Sequence, residues 1–147
     1  MAFGVNNITI LGNITRDPEL RFTPNGTAVV GFGLAVNRSI RDKKSGEWQT
    51  EVDFFEVSAW FKLAENCAES LTKGDRILVS GRLSQDRWED KEGQKRSVIK
   101  IIASVIAPSL EYASCKLEKN PKVDNGGISA PNSKGEEVDF TDEDIPF

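Results

Sequence analysis

Histidine is absent from this chain of 147 residues, and cysteine occurs only at Cys67 and Cys115. Without imidazole, and with two thiols far apart, the nitrogen and sulfur ligands of a zinc site cannot be assembled. No glycine-rich loop opens a helix to cradle phosphate, and no strand-end carboxylate pair comes with a third ligand, so the usual catalytic constellations are missing. The acidic run Asp142-Glu-Asp144 could chelate a cation, but a flexible tail would give it no fixed geometry. The chain is therefore expected to be no enzyme and to use no metal or cofactor. Apolar runs stop well short of the roughly 18 residues that span a bilayer. Met1 opens no basic, then apolar leader, and a soluble, cytoplasmic protein is expected. Cys67 falls among apolar helical positions and Cys115 in a polar segment, which argues against a structural disulfide.

A basic surplus is also lacking: 19 Lys and Arg stand against 23 Asp and Glu, a net charge of −4. The excess is not evenly spread. Residues 1–112 carry fifteen of each sign, whereas residues 113–147 carry four basic and eight acidic residues. A neutral domain can still gather its cations on one face, although a mixed solvated surface satisfies the same count.

What is present is a strand, a helix and a strand in sequence between Thr50 and Arg82. From Val52 to Trp60 the residues alternate, placing Phe55, Val57 and Ala59 on one face and Phe54, Glu56, Ser58 and Trp60 on the other. From Phe61 the period becomes helical, with Leu63, Ala64, Cys67, Ala68 and Leu71 on one side and Gly74 at the stop. Alternation then resumes through Ile77, Val79, Gly81 and Leu83. Elsewhere strand signals dominate. Val5 to Ile14 reads as a first strand, Leu20 to Phe22 as a short segment before the Pro24-Asn25-Gly26 turn, and Thr27 to Asn37 as a strand with Val30, Phe32, Leu34 and Val36 on one face and Val29, Gly31, Gly33 and Ala35 on the other. Val98 to Ile106 completes the set. One helix between the third and fourth strands of a small all-β domain predicts a five-stranded Greek-key barrel, the OB-fold, over residues 1–112. Beyond it, residues 113–147 have the composition of a disordered acidic tail.

Two polar excursions interrupt the strands. Arg38 to Gln49 holds Arg38, Arg41, Lys43, Lys44 and Trp48 and reads as a long, exposed, basic loop, the kind of segment that commonly carries function. Arg82, Arg87, Trp88, Lys91, Lys95 and Arg96 surround a turn at residues 90–93. Basic residues thus alternate with aromatics on the face turned away from the core: Phe54, Trp60 and Trp88, with Lys62, Lys73, Arg82, Arg87 and Arg96 near them in sequence. A single nucleic-acid strand asks for that pairing, since each base can stack on a ring and each phosphate seeks a cation. The plainer account has Trp60 and Trp88 packing a core or an oligomer interface. Trp48 is equally compatible with stacking and with such packing.

Four blocks resemble the bacterial single-stranded DNA-binding proteins, most closely the actinobacterial type. They are Val5-Asn-Asn-Ile-Thr-Ile-Leu-Gly-Asn13; Asp17-Pro-Glu-Leu-Arg-Phe-Thr-Pro-Asn-Gly26; Lys62-Leu-Ala-Glu-Asn66 with Leu71-Thr-Lys-Gly74; and the acidic end, Asp142 to Phe147. The resemblance implies a homotetramer of barrels that wraps single-stranded DNA in replication, recombination and repair. It places stacking rings at Phe54, Trp60 and Trp88 and phosphate-binding cations at Lys43, Lys62, Lys73 and Arg87. It also makes Asp142, Glu143, Asp144, Ile145, Pro146 and Phe147 a docking peptide for replication, recombination and repair proteins. Family members of this kind act in the cytoplasm, on the nucleoid.

The chain departs from that pattern in places. Ile40 stands where relatives carry a stacking tryptophan, with Trp48 a neighbouring substitute, and Ser84 and Asp86 stand where some relatives are basic. Arg38, Arg41, Arg82 and Arg96 complete the candidate phosphate contacts. Ser109 to Leu117 resembles an extra strand that clamps neighbouring subunits, and Leu110, Tyr112 and Leu117 favour an ordered strand over a frayed end. RNA suits the same platform, because stacking does not distinguish sugars. A barrel serving as a protein adaptor is the third possibility.

Overall fold

The computed structural model describes residues 1–122; the acidic tip at 142–147 lies outside the described residues. Seven elements follow one another: β1 (Ile8–Ile14), β2 (Glu19–Phe22), β3 (Ala28–Arg41), β4 (Trp48–Trp60), α1 (Phe61–Ser70), β5 (Arg76–Glu89) and β6 (Lys95–Pro108). β1 runs antiparallel to β5, from Ile8 opposite Gly81 to Asn13 opposite Arg76. β5 pairs with β6, and β6 meets β4 in a short parallel stretch, Val57 beside Ile101. β4 pairs with β3 along its whole length, and β3 returns to β1 at Asn13–Ala35 and Ile14–Leu34. Five strands therefore close into a barrel, β2 lies alongside β3 as a short hairpin arm, and α1 separates the third and fourth barrel strands. This is the Greek-key OB-fold expected from the alternation.

The inward parity supplies the core. Val30, Phe32 and Leu34 of β3, Val57 and Ala59 of β4, Ile77 and Val79 of β5 and Ile101 of β6 are all buried, and α1 adds Ala64 and Cys67. Each fully buried Val, Leu, Ile or Phe contributes about 1.5–3 kcal/mol over its exposed state. Gly81 makes the closure possible. It faces a bulge in β6, where Ser104 falls out of the register, and a Cβ there would overlap the Ile102 carbonyl. Only a residue without a side chain lets β6 approach so closely.

The structure corrects one expectation. Arg38 to Gln49 is not a long loop: the ladder continues through Arg38–Glu51, Ser39–Thr50, Ile40–Gln49 and Arg41–Trp48, leaving a turn of residues 42–47. Asp42 closes that turn, its carbonyl accepting from the Gly46 N–H at 2.8 Å and its carboxylate from the Lys44 N–H at 2.9 Å. Backbone pairing propagates along two strands already in register, whatever the polarity of the side chains. The second excursion is a hairpin of the same kind, with Asp90 accepting from the Gln94 and Glu92 N–H groups at 2.9 and 3.0 Å.

Residues 109–117 form no strand in the single chain, which holds no neighbouring subunit for them to clamp. The Ser109 N–H donates to the Arg76 carbonyl at 2.8 Å, and beyond that no strand lies alongside among the described residues. Glu111 instead accepts from Arg76 at 3.0 Å, and the Arg76 guanidinium lies 6.0 Å from the Tyr112 ring centre. The compact unit is Met1–Cys115.

Candidate nucleic-acid interface

Unbroken alternation along β4 puts Trp48, Thr50, Val52, Phe54, Glu56, Ser58 and Trp60 on its outer face. Trp48, Phe54 and Trp60 recur every six residues, about 20 Å apart at about 3.3 Å per residue. Phe54 is 72% exposed and Trp48 70%, whereas Trp60 is half-buried. Their neighbours on β3 are Arg41, Ala35 and Val29, and the two rows between Phe54 and Trp60 carry Gly33 and Gly31. The pairing also brings Arg41 beside Trp48. Trp48 therefore belongs to the same face as Phe54, although its sequence neighbourhood reads as a loop.

The second hairpin joins that face through β6. Arg82 lies opposite Ile102, Ile102 beside Ser58, and Ser58 opposite Gly31, so one outward row crosses β5, β6, β4 and β3. Two residues at a time along β5, this face continues from Arg82 through Ser84 and Asp86 to Trp88, which is 49% exposed and directly opposite Arg96. Asp86 does not stand as a bare negative charge, since Lys100 meets it at 2.8 Å. Arg87 projects to the alternate face, donating to Gln85 at 2.8 Å. A groove of about 460 Å³ at the hairpin end is lined by Arg87, Trp88, Lys95 and Arg96 among others.

The remaining candidates divide. Lys43 is exposed in the β3–β4 turn. Lys62, on the first turn of α1 beside Trp60, pairs with Glu65 at 3.5 Å, and the Lys73 backbone N–H is fixed by Asp17 at 2.8 Å. Arg38 is turned to the opposite face of the β3–β4 hairpin, where Glu51 and Asp53 both hold it. Ile40, opposite Gln49, shares that reverse face. Exposed ion pairs of these kinds are worth about 0–1 kcal/mol each, so a phosphate can displace the carboxylate.

Three residues on or beside the outer face escape a reading by alternation. Arg21 on β2 lies in line with Val29 and Trp60. Arg16, between β1 and β2, passes over Gly33 to pair with Glu56. Phe61 is 69% exposed immediately after Trp60, at a φ of 62°. That left-handed conformation costs a non-glycine residue about 1–2 kcal/mol and turns the chain from β4 into α1. Arg16 and Arg21 flank the Asp17-Pro18 block, which marks the segment but not the face it reaches; nothing in the sequence signals the φ of Phe61.

No cluster of carboxylates or thiols among the described residues is arranged to hold a metal ion. No helix among them is long and apolar enough to cross a membrane.

A closed Greek-key barrel whose outer face carries spaced aromatic rings among cations defines an OB-fold binding domain. The model of the single-strand binding protein family matches residues 5–109, and the chain belongs to that family, a family of binding proteins and not of enzymes. Actinobacterial proteins are among the similar chains. The single-stranded DNA-binding protein of Mycobacterium tuberculosis strain H37Rv is 50% identical over 128 residues, 86% of this chain and 77% of the relative. That of Paenarthrobacter aurescens is 43% identical over 148 residues, 98% of this chain and 86% of the relative. Among solved structures, a Plasmodium falciparum SSB in complex with ssDNA superposes with a TM-score of 0.67 at 23% identity, covering 74% of this chain and 98% of the other. That likeness concerns the fold.

Proposed function

We propose that this protein binds and protects single-stranded DNA with little regard to sequence, in replication, recombination and repair. The observation that carries the reading is the single outer face on which Trp48, Phe54 and Trp60 recur at six-residue spacing and which runs on to Arg82 and Trp88. Rings so spaced offer stacking platforms to bases several nucleotides apart, while Arg41, Lys43, Lys62, Lys73, Arg82, Arg87 and Arg96 supply cations for the backbone. Neither interaction reads sequence. The names of the relatives and the DNA in the structural neighbour support the choice of ligand.

On this reading residues 1–112 are the DNA-binding domain, four copies assemble, and residues 113–147 are a tail whose tip, Asp142 to Phe147, recruits replication, recombination and repair proteins in the cytoplasm, on the nucleoid. Ile145 and Phe147 can be buried only in a partner's pocket, and Pro146 lowers the ordering cost. The test is a fluorescence titration with oligo-dT, matched RNA and duplex. Strong quenching by oligo-dT alone is the expected result. Equal or tighter binding of RNA would reassign the ligand, and no binding of any of the three would leave the barrel as a protein adaptor.

A further inference from the structure

Between Phe54 and Trp60, one outward position past Phe54, the outer face of β4 presents a carboxylate, Glu56. By itself it would repel any strand drawn across the face by the two rings, because the backbone carries a negative charge at every nucleotide. Arg16 answers it. From its place between β1 and β2 the side chain crosses β3 at Gly33, where a Cβ would stand only 3.1 Å from one guanidinium nitrogen, and pairs with Glu56. Thr15 secures the approach, its N–H donating to the Gly33 carbonyl at 2.9 Å. Both partners remain about half exposed, with side-chain exposures of 52% and 44%, so the pair is open to solvent and to a ligand.

We propose that Arg16 is a strand-contacting cation between Phe54 and Trp60 on this face, and that Glu56 is its positioning residue, holding the guanidinium over Gly33 until a backbone phosphate takes the place of the carboxylate. The inference rests on the single-strand reading above. An exposed ion pair is weak enough to be exchanged. A phosphate offers Arg the same planar, charge-assisted hydrogen bonding as a carboxylate. In the free protein Glu56 also caps the attraction of this spot for polyanions, so the exchange sets affinity as well as position.

The experiment is a salt-dependent titration of the full chain with fluorescein-labelled oligo-dT, comparing wild type, Glu56→Gln, Arg16→Ala/Glu56→Gln and Arg16→Lys/Glu56→Gln. Removing the carboxylate from both arms prevents a bare Glu56 from mimicking the loss of Arg16. Glu56→Gln is expected to bind more tightly than wild type. Adding Arg16→Ala should then weaken binding about 5- to 20-fold and flatten the log–log salt slope by about 0.7, the value of one phosphate on a single strand. Arg16→Lys should keep the slope. Equal affinity and slope in Glu56→Gln with and without Arg16 would overturn the proposal, reducing the pair to a structural contact. Wild-type protein that binds no oligo-dT would instead overturn the single-strand reading, and Phe54→Ala in the same titration keeps the two failures apart.

Discussion

Trp88 stands directly opposite Arg96 across the β5–β6 ladder, and Asp90 at the turn holds that guanidinium at 3.1 Å. A single carboxylate thus organises the tip of the hairpin, accepting backbone hydrogen bonds from Gln94 and Glu92 as well. The Gln94 N–H foremost, then Arg96 and the Glu92 N–H, hold the Asp90 carboxyl below its ordinary 3.8. Folding therefore favours the ionised form. Its contribution is complete above 3.8 and is lost as the pH falls through the lower folded value. Asp90→Asn should lower the melting temperature at neutral pH, with the difference from wild type shrinking below 3.8 in thermal melts followed by circular dichroism. A difference that grows as the pH falls would contradict this account.

Truncating the outward rings should weaken single-strand binding without unfolding the barrel. Phe54→Ala, Trp60→Ala and Trp88→Ala are each expected to lose about 1–3 kcal/mol of affinity for oligo-dT if one base stacks on each. Trp48→Ala should behave alike, since the ladder puts Trp48 on the Phe54 face. Fluorescence titrations at moderate salt measure all four. Full affinity in the Trp48 variant would confine the strand to the barrel proper.

Gly81→Ala should cost stability where the surface variants do not. Its Cβ meets backbone rather than a movable side chain, so the β5–β6 ladder must part. Overpacking typically costs about 1–3 kcal/mol, and a clash with backbone belongs at the upper end. Chemical denaturation gives the number, and an unchanged midpoint would mean that the bulge relaxes freely.

The two thiols should differ in reactivity. Burial pushes the Cys67 thiol up to about 11, whereas Cys115 is exposed. Because the thiolate is the nucleophile, a mild alkylating reagent should label Cys115 in native protein and reach Cys67 only on unfolding. Peptide mapping of the labelled sites decides it; rapid native labelling of Cys67 would show that α1 opens readily.

Deleting Phe147 should abolish capture of replication and repair proteins while oligo-dT affinity stays the same or rises slightly. A pull-down with purified partner proteins beside a DNA titration makes the comparison. A large loss of DNA binding would show that the tail and the barrel do not divide the work.

The alternation from Val52 to Trp60 and the helical period from Leu63 to Leu71 are local properties of the chain, and they determined the barrel, its lone helix and most of its core. Side-chain parity also assigned Phe54 and Trp60 to one outward face, because the pleat has a period of two wherever a strand is regular. What a linear pattern does not carry is which strands become neighbours. Closure through the short β4–β6 contact put Arg82 in the row of Ser58 and joined Trp88 to the Phe54 face. Ladder extension moved Trp48 out of an expected loop and sent Arg38 to the reverse side. The missing side chain at Gly33 let Arg16 reach Glu56, forty residues away. These placements depend on contacts between residues remote in sequence, and only the folded sheet brings them together.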